Sequence, residues 1–461
     1  MSIHNRPVKE DAVLIHAALA LLPDGWAREV RLVVQAGRIV EVTPGADPQG
    51  ERVGLLLPAP VNLHSHTFQR AMAGLTERRT AGQDSFWTWR SLMYRFLDQL
   101  TPDEVQAIAA LAMVEMAEAG YAAVAEFHYL HHAPGGAPYA NRAEMAARIA
   151  AAAAETGLGL TLLPVAYAQG GCDGRALAGG QLRFGNDLDG FAAVLQGAGQ
   201  AVAALPTDAR LGVAPHSLRA VPREMLARMP ELAAGGPIHM HIAEQVAEVD
   251  EVQAAWGARP VDWACANLPL GPQWCLIHAT QMTPRETAAL AATGAVAGLC
   301  PETEANLGDG IFDGPGWFEA GGVWGLGTDS NIRISLMGEA RMLEYSQRLA
   351  HRARAVLATE DASCGRVLLE GAARGGAQAA GRDAGEIRVG AWADLMVPSA
   401  ALVQGREGDE ALDTLVFAAP DAPVDSLWSA GRRLVTQGRH HARDAVEARF
   451  AAVMAALRAR L

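Results

Sequence analysis

Apolar and polar positions change their rhythm twice along the chain. The first stretches, "AVLIHAALALL" and "VRLVVQAGRIVEVTP", read as short strands, and "QAGRIVEV" has the character of a hairpin turning at Gly37. A polar turn, "GADPQGER", follows. From about residue 59 the pattern alternates. An opening strand at 59–64 is followed by helical periodicity over 102–119, 141–156 and 189–204, leading into "YAAVAEFHY", "LGLTLLPVAY" and "RLGVAPH". The runs "PIHMHIAE", "WCLIHAT", "GAVAGLCPE" and "GVWGLGTDS" continue the series. Eight short apolar runs separated by helices predict an α/β fold, a (β/α)8 TIM-like barrel. Towards the end, "GEIRVGAWADLMVP", "LDTLVFAA" and "SLWSAGRRLVTQG" return to the strand texture. The last stretch, "HARDAVEARFAAVMAALRARL", has the helical period. The expected organisation is a small β-sandwich domain built from both termini (1–58 and 385–440), a barrel over 59–384 and a terminal helix over 441–461.

Active sites of such barrels lie at the C-terminal ends of the strands. Those ends carry His64 and His66, then Glu126, His128 and Tyr129, then Tyr167, His216, His241 with Glu244 beyond it, His278, the stretch from Cys300 to Glu302, and Asp329. His64 and His66 are two apart on a strand, so both point the same way. An HxH pair alone is a weak signal in a chain with 14 histidines. It gains weight because His241 and Asp329 offer further donors from other strand ends. Three imidazoles and one carboxylate suit zinc with a place left open for water, and tolerate iron or another divalent ion. Of the pair His239 and His241, His241 is nearer the mouth and three before Glu244, so it is the expected ligand and His239 the packed one. "EFHYLHH" is a rival cluster, in which His128, His131 and His132 would hold a second ion.

Composition narrows the choice. Lysine occurs only at Lys9, outside the barrel, so a lysine-bridged metal pair is excluded and one metal is favoured. The net charge of −13 argues against nucleic acid or an acidic membrane surface as partner. The opening residues lack the apolar core of a signal peptide, and no apolar stretch reaches the length of a membrane span, so neither is expected. Five cysteines at 172, 265, 275, 300 and 364 lack CxxC spacing and read as reduced thiols of a cytoplasmic protein.

The motifs "PAPVNLHSH", "HMHIAE", "LIHAT" and "LGTDS" resemble the amidohydrolase superfamily, in the order and spacing of its single-zinc deaminases. The longer strings "NLHSHTFQRAMAGLTE", "DSFWTWRSLMYRF", "EFHYLHH", "APHSLRAV", "EANLGDGIF" and "LEYSQRL" look like the N-formimino-L-glutamate deiminases of histidine degradation. The resemblance implies zinc on His64, His66, His241 and Asp329. It implies catalysis by Glu244, His278 and Asp329, and substrate contacts at Gln69, Arg90, Tyr129, His216 and Arg219. It also implies a homodimer. The reaction would release ammonia and leave N-formylglutamate. Arg90 and Arg219 would clamp the two carboxylates of the small dicarboxylate substrate, because the planar guanidinium matches a carboxylate in two bonds. Packed aromatics around "FWTWRSLMYRF" would fix Arg90. Two positions depart from the expected pattern, Glu302 in "CPETEAN" and Asn331 in "GTDSN". The alternatives are a deaminase of purines, triazines or other cyclic amidines, or a binding protein that has lost catalysis; the second would be expected to lack some of these ligands.

Overall fold

The computed structural model describes residues 12–75, 77, 86–420 and 423–460, with side chains of the helix Phe86–Leu97 described from residue 92. Four N-terminal strands come first: β1 (Val13–Leu22), β2 (Gly25–Gln35), β3 (Arg38–Thr43) and β4 (Glu51–Pro58). The middle then supplies β5 (Val61–Ser65), β6 (Ala123–His128), β7 (Gly159–Ala166), β8 (Arg210–Leu211) and β9 (Ala214–Pro215). It continues with β10 (Ile238–Ile242), β11 (Trp274–His278), β12 (Val296–Leu299) and β13 (Val323–Leu326). The last strands are β14 (Leu395–Pro398), β15 (Val424–Ser429), β16 (Arg432–Thr436) and β17 (Arg439–His440).

The middle strands pair in parallel as β5-β6-β7-β8, with β9 also on β7, and as β10-β11-β12-β13. Two parallel bridges, Val213 with Ile238 and Ser65 with Asp329, join these sheets, so the pairing runs full circle. The strands β5, β6, β7, β10, β11 and β12 are buried along their whole length. That explains why they read as unbroken apolar runs: parallel strands are covered on both faces. "RLGVAPH" was expected as one strand and is two short ones. Between them Val213 leaves β7 to bond Pro237 O and bridge Ile238, which carries the sheet across to β10.

The helix at Pro102–Ala119 shows why the covering layer forms where periodicity puts it. Thr101 caps it, Glu104 completes a capping box, proline stands in the first turn and Gly120 ends it at φ 107°. Later, the helix Cys364–Ala379 lies on the seam between β5 and β13. It lies this close because two consecutive residues of it are glycine: a Cβ at Gly376 would stand 2.7 Å from Val61 O, and one at Gly375 1.7 Å from Trp324 O.

Strands from both ends form one sheet in the order β17-β16-β15-β14-β4-β1-β2-β3. It has a core of its own, in which Ile15, Leu32 and Leu56 meet Ile387, Leu395 and Trp428. "LDTLVFAA", expected as strand, is part of the helix Asp409–Phe417. Its buried residues Ala411, Leu412, Leu415 and Val416 recur at helical spacing, and the run is too short for periodicity alone to separate the two. The terminal helix is Arg443–Arg458.

The terminal sheet is tied to the parallel strands by a buried ion cluster. Arg382 donates to Asp394 at 2.6 Å and to Asp208 at 2.9 Å, and Arg432 reaches Asp208 at 2.7 Å. Arg382 is 5 % exposed. Replacing it leaves buried carboxylates short of their partner, which costs about 3–5 kcal/mol. We predict that Arg382→Leu lowers the unfolding free energy by that amount, read from denaturant titration.

Candidate active site

The site is assembled where β5 meets the chain just after β13. His66 N donates to Asp329 O at 2.9 Å, and Asp329 N donates to His64 O at 2.9 Å. Gly327 permits this approach, since a Cβ there would lie 2.8 Å from both the N and the O of His64. A buried polar network locks the seam. Asn62 Nδ2 donates to Thr328 Oγ1 at 2.7 Å, which donates to Asn331 Oδ1 at 2.6 Å; Asn331 Nδ2 donates to Ser65 Oγ at 3.1 Å. Asn331 stands at φ 53°, a conformation that asparagine tolerates better than most residues. Its departure from the expected pattern therefore has a structural role.

Four donors converge inside this seam: His64, His66, His241 and Asp329 offer one ligand atom each, all within 4.8 Å of one another. His64 Nε2 lies 3.1 Å from His241 Nε2 and 3.3 Å from Asp329 Oδ1. His66 Nε2 lies 3.2 Å from the same oxygen. The other ring nitrogens fix the tautomers. His66 Nδ1 donates to Phe127 O at 2.9 Å and His241 Nδ1 to His216 O at 3.0 Å. Both Nε2 lone pairs then point inward, that of His66 at a carboxylate oxygen. Opposed acceptors at this range repel, and a cation between them removes the repulsion. Such outward bonds are also what orients metal-binding imidazoles. Burial holds His64 down to about 3 and His241 well below the usual histidine range. Burial pushes the Asp329 carboxyl up, but the His64 and His66 rings beside it outweigh that and hold the group well below its ordinary value. Neutral imidazoles beside an ionised carboxylate are the states that bind a metal.

A cavity of about 550 Å³, its open mouth included, lies over these donors. His66, His241 and Asp329 form part of its lining, with Glu244, His278 and Arg219. Burial pushes the Glu244 carboxyl up, against the pull of His278 and Arg219. Burial disfavours charge on His278, but Glu244, Glu304 and Asp329 overcome it and raise the imidazole to about 10. Its Nδ1 donates to Glu304 Oε1 at 3.2 Å. Arg219 is 8 % exposed, its Nη2 is 3.7 Å from Glu248, and its Nε has no hydrogen-bond partner among the described residues. Gln69 donates to Tyr129 Oη at 2.7 Å and leaves its own buried Oε1 without a hydrogen-bond partner. Tyr129 and His216 complete this wall.

The structure thus brings together every residue expected at the site except Arg90, whose side chain lies outside the described residues. Three strand-end expectations change. Glu126 and His128 do not line the cavity. Glu126 accepts from Thr67 N and Oγ1 at 2.8 and 2.7 Å, because alternation along β6 turns Phe127 and Tyr129 inward instead. Phe127 packs against the rings of His64, His66 and His241. Glu302 faces Arg333 at 2.9 Å rather than the cavity. Of the three rival histidines, His131 donates to Val165 O and His132 to Gly185 O, and among the described residues none of the three, His128 included, joins a metal-type group. His239 is packed, donating to Ala379 O at 2.7 Å. The sequence reading missed Phe127, Glu248 and Glu304. For Phe127 the signal was present, since it shares a strand face with Tyr129.

Residues 55–434 match the Amidohydrolase family, and residues 12–52 match the formimidoylglutamate deiminase HutF N-terminal domain. The chain belongs to the amidohydrolase family. The formimidoylglutamate deiminase of Pseudomonas aeruginosa is 46% identical over 96% of this chain and 99% of its own, which sets the chain among the formimidoylglutamate deiminases of that family. The crystal structure of an amidohydrolase from Brucella melitensis superposes with a TM-score of 0.93 at 47% identity, covering 96% of this chain and 99% of the other. Atrazine chlorohydrolase from Arthrobacter aurescens, solved with zinc, shares the fold at a TM-score of 0.83 and 19% identity, over 96% of this chain and 100% of the other. Among the described residues no helix is long and apolar enough to cross a membrane.

The seam network stands directly behind the four donors. Asn331→Ala is expected to lower stability by about 1–3 kcal/mol and metal affinity by about 10–100-fold. Denaturation and competition with a chelator read the two effects separately.

Proposed function

We infer that this amidohydrolase hydrolyses N-formimino-L-glutamate to N-formyl-L-glutamate and ammonia, a step of histidine degradation. The observation that carries this is the near full-length 46% identity to a formimidoylglutamate deiminase. Beside it stands a cavity that has a metal-type donor set at one end and a buried arginine at the other.

In this reading His64, His66, His241 and Asp329 hold one zinc ion per chain. The ion supplies Lewis acidity, which brings the pKa of water from 15.7 to about 7. The chain's own groups do the rest. Asp329 accepts the proton of the attacking water at a carboxylate oxygen. His278, charged on Nε2 and held by Glu304, stabilises the negative charge that develops during attack. Glu244, whose carboxyl burial pushes up, gives its proton to the imino nitrogen; the proton that Asp329 took from water then reaches the same nitrogen, which departs as ammonia, and the hydroxyl proton of the adduct returns to Glu244. Arg219 binds one carboxylate of the substrate through its free Nε edge, and Arg90 the other. Gln69, Tyr129 and His216 orient the amidine between them. The buried Arg219 favours an anionic substrate over the cyclic amidines of more distant relatives such as the 8-oxoguanine deaminase, which is 28% identical.

The closed circle of parallel strands supports a (β/α)8 barrel over 59–384. The shared core of the terminal strands supports a sandwich-like small domain over 1–58 and 385–440, with a terminal helix over 441–461. The five free cysteines fit a cytoplasmic protein, and a homodimer completes the proposal.

The test is ammonia release from N-formimino-L-glutamate by metal-analysed protein, with the organic product identified by mass. N-formylglutamate is expected. Formamide with glutamate would overturn the bond that is cleaved, and turnover of cyclic amidines alone would overturn the substrate. Glu244→Gln is expected to keep its metal and lose about 10²–10⁴ in kcat. Arg219→Ala is expected to raise KM by about 10–100-fold, the worth of one charge-assisted bond, with metal content unchanged.

A further inference from the structure

His278 Nε2 stands 3.9 Å from Asp329 Oδ2 and 3.9 Å from Glu244 Oε1. Both gaps are too long for hydrogen bonds. They are close to the spacing of about 3.3–3.8 Å that two donors take around one tetrahedral zinc. A third donor completes the place. Cys300 lies at the end of the neighbouring strand β12, and one atom each of His278, Cys300 and Asp329 lie within 4.8 Å of one another. The carboxylate of Asp329 divides between two sides, with Oδ1 turned to His64 and His66 and Oδ2 to His278. All three residues are buried, and His278 and Asp329 line the cavity through which an ion would enter.

We propose that His278, Cys300 and Asp329 form a second, inhibitory site for a thiophilic divalent cation such as cadmium or excess zinc, with Asp329 bridging it to the first. The proposal rests on the assignment of His64, His66, His241 and Asp329 as the resident metal site.

The surroundings favour a cation. Glu244 lines the cavity, Glu304 accepts from His278 Nδ1, and Asp309 and Glu339 lie within electrostatic reach of Glu304 and Asp329. Burial, with the charges of these neighbours, raises Asp309 to about 9 and Glu339 well above the usual carboxylate range. Carboxyls held this close resist ionising together, and a bound cation would ease that resistance. Thiolate with imidazole selects soft ions over magnesium or calcium. Binding replaces two protons, one from the Cys300 thiol and one from His278 Nε2, and both pass to solvent. The bound ion would then occupy the space between Glu244, His278 and Asp329 where the amidine must sit, so inhibition competes with substrate. A lysine bridge is not needed, because Asp329 has an oxygen for each ion.

The experiment titrates the zinc-loaded protein with Cd²⁺ and follows three readouts: total metal per chain after buffer exchange, sulfur-to-cadmium charge-transfer absorption, and turnover. Total metal should rise from about one to about two per chain as the absorption grows, consistent with thiolate ligation. Turnover should fall more than about tenfold and recover with added substrate. Cys300→Ser and Cys300→Ala should keep the first zinc and its turnover. Both should lose the absorption and resist cadmium at least about tenfold better. Absence of the absorption in the unmodified chain, or equal inhibition of the variants, overturns the second site and leaves the first intact. A chain that holds no metal at His64, His66, His241 and Asp329 overturns both.

Discussion

The bridge between Ser65 and Asp329 is the contact on which the rest of the molecule depends. The donors come from the first, fifth and last strands of the circle, and they meet only if the last strand returns to the first. Three small-residue contacts allow that return: Gly327 against His64, and Gly375 and Gly376 behind the same seam. A side chain at Gly327 would run into His64 across the seam, and one at Gly375 or Gly376 would push the covering helix off Trp324 or Val61. The polar chain of Asn62, Thr328, Asn331 and Ser65 then fixes the register inside a fully buried environment. Buried networks of this kind hold one arrangement strictly, because any other leaves polar groups unpaired.

Charge divides the cavity into two ends with opposite needs. At one end neutral imidazoles face an ionised carboxylate, an arrangement that calls for a cation. At the other, Arg219 is buried with one long ion pair among the described residues, to Glu248, which calls for an anion. Glu244 and His278 lie between, each shifted by burial and by the other. A substrate with an amidine at one end and carboxylates at the other satisfies both ends, whereas a neutral ring leaves the arginine unanswered. In the proposed reading, specificity and chemistry follow from this one division of charge along the cavity.

Much of this was legible in the chain. The strand-helix alternation gave the order of the parallel strands, because fully covered strands leave unbroken apolar runs. His64, His66, His241 and Asp329 were legible because each ends such a run. Glu126 and His128 were misplaced because alternation was not applied along β6, although Tyr129 already fixed which face looks inward. Glu304 was beyond reach, since it lies past its strand in the first turn of a helix, where no period marks it. "LDTLVFAA" failed for a different reason. Leucine and valine in so short a run satisfy strand and helix alike, and only the packing against Gly365 and its helix decides.

The placement of Glu244 is the part that spacing could least foresee. It stands three residues after His241, and on a continuing strand an odd offset would send the two side chains to opposite faces. Both line the same cavity because Ala243 turns the backbone left-handed, at φ 50°. That turn costs on the order of 1–3 kcal/mol unless its surroundings impose it. Glu248 imposes it, accepting from Ala243 N at 3.2 Å and Glu244 N at 3.1 Å with one oxygen each. The same carboxylate is the partner of Arg219. One buried side chain therefore aims the Glu244 carboxyl into the cavity and steadies the arginine proposed to bind the substrate. His278 and Asp329 are turned in the same left-handed way, at φ 69° and 41°. Strain at three strand ends is thus the means by which regular parallel strands present groups that a regular strand would point elsewhere.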